Sequence, residues 1–338
     1  MRFKFILRRL IYLVIMLFGV ATLVFILTKL VPGDPVTANL SQRALSDPTI
    51  VAAYKAKHGL DKPLITQYFL YIRNLLQFDL GTSIRTNTPV LTELKRCYPA
   101  TIELALFSII LASVFGIFFG VISAVKRNSI TDQILRAVSV TGVSIPSFWF
   151  AILVLFVFYY KLHIFPGPGR LSNTFSAPQT VTGLYVLDSL IEGNFAKAGD
   201  AFMHLLLPSF VLAAFTMGLI TRTTRSNLLD VMSTDYIRTA KAKGLSGTKL
   251  IMRHALGNAI IPVLTVIGLG LGNLLGGMVL VETIFNWPGV GQFAYQSVMS
   301  NDYPSIIGVA LLIALNYMII NTVVDILYGI IDPRVRCD

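Results

Sequence analysis

Charged side chains are scarce in this chain of 338 residues, where they make up only 13% of the sequence. Apolar residues make up 54% of it, and the mean hydropathy is +0.71. A typical soluble domain has about a quarter of its residues charged, so this composition excludes an ordinary soluble protein. Cysteine is also scarce, because Cys97 and Cys337 are the only two.

Motifs of catalysis and of nucleotide binding are absent as well. The chain has no Gly-x4-Gly-Lys-Ser/Thr loop and no Gly-Lys dipeptide, so it cannot hold ATP phosphates as a P-loop does. It has no His-Glu-x-x-His, Cys-x-x-Cys or Gly-x-Ser-x-Gly motif, and its four histidines are scattered. We therefore expect a chain that is not an enzyme, binds no metal and holds no cofactor itself. An intramembrane hydrolase would need a Ser–His or paired-Asp site inside the apolar stretches, and none can be assembled.

Six apolar stretches are long enough to cross a bilayer, for which a helix needs about 20 mainly apolar residues. They are Leu10–Leu30, Thr101–Val125, Ala137–Tyr160, His204–Thr221, Ala259–Val281 and Ser305–Ile331. No repeat with a period of about 20–50 residues is present. The sequence therefore predicts an all-α membrane protein with six transmembrane helices. Pro146 and Pro208 predict kinks in the third and fourth of them.

The distribution of basic residues predicts the orientation. With the N-terminus in the cytoplasm, most lysines and arginines of the short loops fall on the cytoplasmic side, whereas the opposite loop Glu282–Pro304 has neither. Both termini are then cytoplasmic. The net charge of +11 is explained by this topology and by anionic membrane lipid, not by nucleic acid. Cys97 and Cys337 lie on opposite sides of the membrane and cannot pair within one chain.

The chain divides into three parts. Residues 1–31 form a basic segment and the first transmembrane helix, which we interpret as a retained anchor because its apolar core is longer than that of a signal peptide. Residues 32–99 are polar and rich in turns, and they predict an external subdomain, with helix-like spacing of apolar residues in Leu64–Phe78. Residues 100–338 hold the remaining spans and a polar cytoplasmic loop, 222–258.

Polar residues inside the spans are candidates for function. Asn273, Asn316 and Asn321 are predicted to line a pathway, because an amide can bind a peptide backbone; hydrogen bonding between helices is the alternative. Glu103 and Glu282 lie near predicted outer helix ends, and we interpret them as solvated at the interface, since a charge at the bilayer centre costs about 2.5–3.5 kcal/mol.

The loop 222–258 carries the signals that start and end a short helix. A Ser or Thr can cap its first turn, an acid and two lysines suit its two ends, and a glycine suits the left-handed residue after it. These signals are, in chain order, Ser233, Thr234, Asp235, Lys241, Lys243 and Gly244. A short rigid helix between two longer ones would move both spans when something grips it.

This loop resembles the cytoplasmic loop of the membrane subunits of binding-protein-dependent ABC importers. Their pattern is Glu-Ala-Ala, three residues, Gly, nine residues, then Ile-x-Leu-Pro. The chain has Arg238-Thr-Ala240, then Gly244, then His254-Ala-Leu256-Gly, so that the second Ala, the Gly and the Leu match.

Further segments resemble the dipeptide/oligopeptide/nickel branch of the ABC permeases in the same order along almost the whole chain. They are Val31-Pro-Gly-Asp-Pro35, Gly59-Leu-Asp-Lys-Pro63, Asp79-Leu-Gly-Thr-Ser83, Asp235-Tyr-Ile-Arg-Thr-Ala240, His254-Ala-Leu256, Ile284-Phe-Asn-Trp-Pro-Gly289 and Asp332-Pro-Arg334. The resemblance implies the transmembrane-domain fold of a type I ABC importer. It also implies a second homologous permease, two cytoplasmic ATPases that hold ATP and Mg, and an external solute-binding protein.

The function that the resemblance implies is a permease subunit that forms half of a path for di- or oligopeptides across the cytoplasmic (inner) membrane. Nickel chelates, glutathione and oligosaccharides remain alternative cargoes, and an ion-coupled secondary carrier is a rival from another class. The resemblance makes the short loop helix the coupling helix that docks on an ATPase. The predicted docking residues are Tyr236, Ile237, Arg238, Thr239, Ala240, Lys241, Gly244 and Leu245.

Overall fold

The computed structural model describes residues 2–30, 42–57, 61–245, 247–276 and 278–331, and the regular elements of these segments are helices. The N-terminal part contains α1 (Arg2–Leu30), α2 (Gln42–Leu45), α3 (Pro48–Lys57) and α4 (Leu64–Leu76). The helices that follow are α5 (Val90–Val125), α6 (Ile130–Ser144), α7 (Ser147–Val154), α8 (Tyr185–Ile191), α9 (Phe195–Met232), α10 (Asp235–Ala242), α11 (Gly247–Lys249), α12 (Leu256–Leu275), α13 (Val279–Ile284), α14 (Val290–Met299) and α15 (Tyr303–Ile331). Two π-helical segments, Leu155–Lys161 and Leu250–Ala255, extend α7 and join α11 to α12.

The membrane-spanning part of the fold agrees with the predicted class but not with six straight helices. Within the described residues, four helical segments are long and apolar enough to cross a bilayer, namely Val90–Val125, Phe195–Met232, Gly247–Leu275 and Tyr303–Val324. The first helix, α1, is 29 residues long and has a shorter apolar stretch, Ile11–Leu27.

The third predicted span is broken instead of continuous. Its two halves, α6 and the π-extended α7, meet at an angle of 107°. Ile145 between them is extended, with φ −75° and ψ 128°. A proline has no backbone N–H and disfavours the helical conformation of the residue before it, so Pro146 ends α6 here. The kink that Pro146 predicts is therefore a sharp corner, whereas α9 continues through Pro208.

The centre of the bundle is the packing of α9 against α5. α9 has 38 residues, about 57 Å, and is therefore longer than the hydrocarbon core is thick. The two helices approach closely because small residues lie at their crossing. A Cβ atom placed on Gly120 would lie 2.5 Å from the Cβ of Thr224, so a larger residue at position 120 would push the helices apart.

The fifth predicted span ends earlier than expected. α12 ends at Leu275, and a separate short helix, α13, begins at Val279. The loops around α13 and α14 fold back onto the ends of α5 and α9, where Trp287 and Phe285 join an apolar cluster with Leu104 and Leu205. α13 and the segment that follows it are therefore part of the apolar core of the bundle.

Between the first two spans, the structure confirms the predicted helix as α4, and α5 begins at Val90 and contains Pro99. The loop before α5 is held by Asp302, the residue before α15. The Asp302 carboxylate accepts hydrogen bonds from the Ser83 hydroxyl and from the Ile84 N–H at 3.1 Å. It also accepts one from the Ser305 hydroxyl at 2.7 Å. One carboxylate thus joins this loop to the last helix.

Candidate functional site

The predicted loop helix is present as α10, and the residues around it explain its ends. Asp235 lies in its first turn and Lys241 in its last turn, where each charge favours the helix dipole. Gly244 has φ +81°, the left-handed conformation that glycine adopts without strain. The predicted side-chain cap is wrong, because the hydroxyls of Ser233 and Thr234 donate backward, to the carbonyls of Asp230 and Val231.

The inner face of α10 is embedded in the bundle through one residue. Ile237 is 3% exposed and belongs to an apolar cluster that the ends of three long helices contribute to. Its other buried members are Ala124 of α5, Leu228 of α9, Leu250 and Ala255 of the π-helical segment, and Ala259 of α12. Ile237 thus connects α10 to a cluster that the ends of α5, α9 and α12 share.

A polar contact fixes the same helix from its side. The Asn258 amide donates to the Tyr236 hydroxyl at 2.7 Å, and this hydroxyl lies 3.4 Å from the His254 carbonyl. Tyr236 is 44% exposed, so its ring also presents a surface to the outside. Tyr236 thus ties one side of α10 to the start of α12.

The outer face of α10 is exposed and basic. Exposed residues there are Tyr236, Arg238, Thr239, Lys241 and Gly244, whereas Ala240 and Leu245 are half-buried. Arg238 lies 3.4 Å from Asp235, with both side chains at least 75% exposed, and such a surface pair contributes little. Of the eight predicted docking residues, Ile237 faces the chain's own core and can act in docking only by holding α10 in place.

The three predicted pathway asparagines do not form one lining. Asn273 is exposed beside a groove of about 390 Å³ between α1, α12 and α15. Asn316 is buried, and its amide oxygen accepts a hydrogen bond from the Tyr98 hydroxyl of α5. Asn321 is half-buried on α15. For Asn316, the alternative of hydrogen bonding between helices therefore describes the contact that the structure has.

The interpretation of Glu103 as a solvated residue is wrong. Its side chain is 7% exposed and forms an ion pair with Arg170, which is buried too. Glu103 also accepts from the Val186 N–H at 2.9 Å, and Arg170 donates to the Gly183 carbonyl at 2.9 Å. The Arg170 guanidinium lies 3.6 Å from the centre of the Tyr185 ring. Arg170 was not a candidate from the sequence, because its partner is 67 residues away.

The interpretation of Glu282 as a solvated residue is wrong as well, because its side chain is only 1% exposed. It accepts from the Thr101 hydroxyl at 2.8 Å and from the Gln292 N–H at 2.9 Å. No described cation pairs with it. Burial raises the pKa of Glu282 to about 7, so the carboxyl is partly protonated near neutral pH. The motif Ile284–Gly289 that follows is also bound to α5, because the Trp287 indole donates to the Ala100 carbonyl at 2.8 Å.

The described fold is a helical bundle with one broken span and a short basic helix that packs on the ends of three long helices. Comparison with known proteins identifies the class of membrane protein that has this fold. The chain is similar to a structure of a methionine ABC transporter in an inward-facing conformation, with a TM-score of 0.52. The match covers 72% of this chain and 97% of the other at 16% identity, so it shows the fold alone. The fold is that of the membrane subunit of a type I ABC transporter.

The family follows from the sequence comparisons. A family model described as "binding-protein-dependent transport system inner membrane component" matches residues 116–336, and a model for the N-terminal part of such components matches residues 2–105. The chain belongs to this family. It is a multi-pass membrane component of a binding-protein-dependent transport system.

Two relatives match over almost their whole length. A protein of Escherichia coli strain K12, named a probable D,D-dipeptide transport system permease, is 45% identical over 96% of this chain and 94% of its own. A dipeptide transport system permease of Alkalihalophilus pseudofirmus is 42% identical over 97% of this chain and 98% of its own.

Proposed function

We propose that the chain is a permease subunit of an ATP-driven importer and forms half of a translocation path for di- or oligopeptides. A second, homologous permease forms the other half. Two cytoplasmic ATPases bind ATP and Mg and supply the driving force, and an external solute-binding protein delivers the cargo. The chain itself contributes no nucleotide site and no catalytic group.

The observation that carries the proposal is the seating of α10. Its inner side, through Ile237, packs into the ends of α5, α9 and α12, while its outer side exposes Tyr236, Arg238 and Lys241. A helix that is exposed on one side and embedded on the other is suited to receive force from a soluble protein. The basic outer face favours an acidic groove on the ATPase subunit.

The proposed mechanism uses this seating as a lever. When the two ATPases close on ATP, they pull the two copies of the coupling helix, one from each permease, toward each other. Because Ile237 and Asn258 tie α10 to the bundle, α5, α9 and α12 tilt with it. The path then changes from one side of the membrane to the other. Hydrolysis releases the ATPases and returns the helices.

Peptide cargo is supported by the two relatives named above, whose printed names specify dipeptides. Asn273, Asn316 and Asn321 are the proposed pathway residues, and a second permease completes the cavity around them. Nickel chelates, glutathione and oligosaccharides are the competing cargoes, which the solute-binding protein would select.

The proposed orientation puts both termini in the cytoplasm, α10 on the cytoplasmic side and the segment 32–99 outside, as an external subdomain. It is supported by the basic residues around α10 and by the absence of Lys and Arg from residues 282–304. The proposed location is the cytoplasmic (inner) membrane.

Uptake by the reconstituted complex tests the function. The complex is purified with its co-purifying subunits, placed in vesicles with the solute-binding protein, and given a labelled dipeptide. We expect uptake that requires ATP, stops with vanadate and persists when an uncoupler removes the proton gradient. Uptake that needs the gradient and not ATP would establish an ion-coupled carrier. ATP-driven uptake of labelled glutathione, nickel chelate or oligosaccharide, with no uptake of the labelled dipeptide, would overturn the peptide assignment.

A further inference from the structure

Helix α4 is amphipathic and lies outside the predicted spans, but it packs against the apolar stretch of α1. One turn of it packs against α1, where the Tyr68 hydroxyl forms a hydrogen bond of 2.7 Å with the Thr22 hydroxyl. The Phe25 ring is 5.3 Å from the Tyr68 ring and 5.5 Å from the Tyr71 ring. Thr22 and Phe25 belong to the apolar stretch of α1, Ile11–Leu27.

The position of these contacts along α1 indicates how deep α4 lies in the bilayer. The Lys29 ammonium donates to the Gln67 side chain at 2.6 Å and marks the polar end of α1. Thr22 lies seven residues earlier in the helix, which is about 10 Å deeper. Amphipathic helices at a membrane surface bury their apolar face about 5–10 Å into the boundary between headgroups and acyl chains. The Tyr68 hydroxyl therefore lies at the depth that the apolar face of such a helix reaches.

The apolar side of α4 is wider than the part that α1 covers. At 100° per residue, Tyr68 and Tyr71 lie on the side of α1, and Ile65, Phe69 and Leu76 continue the same apolar arc beyond it. These three side chains are 66%, 65% and 76% exposed within the described structure. Beyond the arc, the helix carries the polar residues Thr66, Arg73 and Asn74 together with Leu70.

We propose that α4 is embedded in the membrane surface at the C-terminal end of α1, with Ile65, Phe69 and Leu76 in contact with phospholipid acyl chains. Its occupant is lipid because the open arc continues the lipid-exposed side of α1 at the same depth, where Leu23 and Ile26 are also at least 50% exposed. Arg73 lies at the edge of the arc, where its guanidinium can reach lipid phosphates. The inference holds for either orientation and does not depend on the cargo.

Spin labels measure this directly in the full-length chain in phosphatidylethanolamine–phosphatidylglycerol vesicles. In a background with Cys97→Ala and Cys337→Ser, a nitroxide is attached to Phe69→Cys and, as the control on the opposite side of the same helix, to Asn74→Cys. We expect the ratio of collision with oxygen to collision with a water-soluble nickel chelate to be severalfold higher at position 69 than at position 74. Ile65→Cys repeats the measurement one turn earlier, in case the first variant does not fold.

Two results would overturn the proposal. Equal preference for the nickel chelate at positions 65, 69 and 74 would place the whole helix in water. Labels at positions 65 and 69 that neither reagent reaches would show that protein covers this face, either a partner subunit or another part of this chain. The peptide-import function would survive both results, because the experiment does not measure transport.

Discussion

Tyr236 of α10 and Asn258 of α12 are joined by a hydrogen bond of 2.7 Å that crosses the loop between the two helices. This bond joins two exposed residues, whereas Ile237 is buried in an apolar cluster. α10 is therefore held by one apolar contact on its buried side and by one polar contact at the surface. Hydrogen bonds of exposed groups contribute about 0.5–1.5 kcal/mol, and burial of a residue such as Ile237 contributes more. The apolar contact therefore dominates the seating of the helix.

Replacement of Ile237 tests that seating. Ile237→Ala removes buried methyl groups and is expected to destabilise the loop by about 2–5 kcal/mol, whereas Ile237→Val costs about 0.5–1.5 kcal/mol. We expect the alanine variant to insert into the membrane normally but to lose ATP-driven uptake, and the valine variant to keep most of it. Limited proteolysis of residues 233–250 gives an independent readout, and equal cleavage of both variants would contradict the seating.

Two substitutions at Gly244 distinguish the effect of an added charge from the effect of the backbone conformation. A Cβ at this position meets nothing within 4 Å, so the cost of substitution is its left-handed conformation, which Asn and Asp tolerate best. We expect Gly244→Asp to uncouple ATP hydrolysis from peptide uptake, since it adds a negative charge to the basic face that we propose docks on the ATPase. Gly244→Asn has nearly the same size and no charge and serves as the control. Wild-type uptake by the aspartate variant would count against docking through this face.

The buried pair of Arg170 and Glu103 is suited to a double-mutant cycle. Removal of one partner leaves the other charge buried and unpaired, so Arg170→Met is expected to cost about 3–5 kcal/mol. Replacement of both, as Arg170→Met with Glu103→Gln, is expected to restore part of that loss. Thermal unfolding of the four proteins in detergent measures the coupling. Additive losses in the double variant would show that the two side chains act independently.

Glu282 predicts a pH dependence of stability. Its pKa is raised by burial to about 7. The folded protein therefore holds a proton that the unfolded chain releases above about pH 4.3. The stabilisation is present below that pH and is lost as the pH rises toward about 7, a change of about 4 kcal/mol for one group. We expect the melting temperature to fall over this range.

Glu282→Gln mimics the protonated carboxyl, so its melting temperature is expected to change less between about pH 5 and about pH 7 than that of the unmodified chain. Scanning calorimetry or tryptophan fluorescence in detergent measures the difference. Parallel curves for the two proteins would show that another group causes the pH dependence.

Local signals in the sequence predicted α10 well and the burial of Glu103 and Glu282 poorly. Asp235, Lys241 and Gly244 act within one short helix, so their spacing was enough to place it. Glu103 and Glu282 form contacts with residues 67 and 181 positions away, and only the folded chain shows that loops cover them. Pro146 predicted that a helix changes direction, but the angle of 107° depends on how both halves pack on neighbouring helices.

The Asp302 contacts constrain any attempt to exchange parts between related permeases. A chimaera that takes residues 32–99 from another protein brings in a new loop at positions 83 and 84 but keeps the acceptor near the far end of the chain. If the incoming loop lacks a hydroxyl at position 83, the retained carboxylate loses a hydrogen-bond donor inside the protein. Grafts designed to change the external part must therefore include residues 302–305, although they lie more than 200 positions downstream.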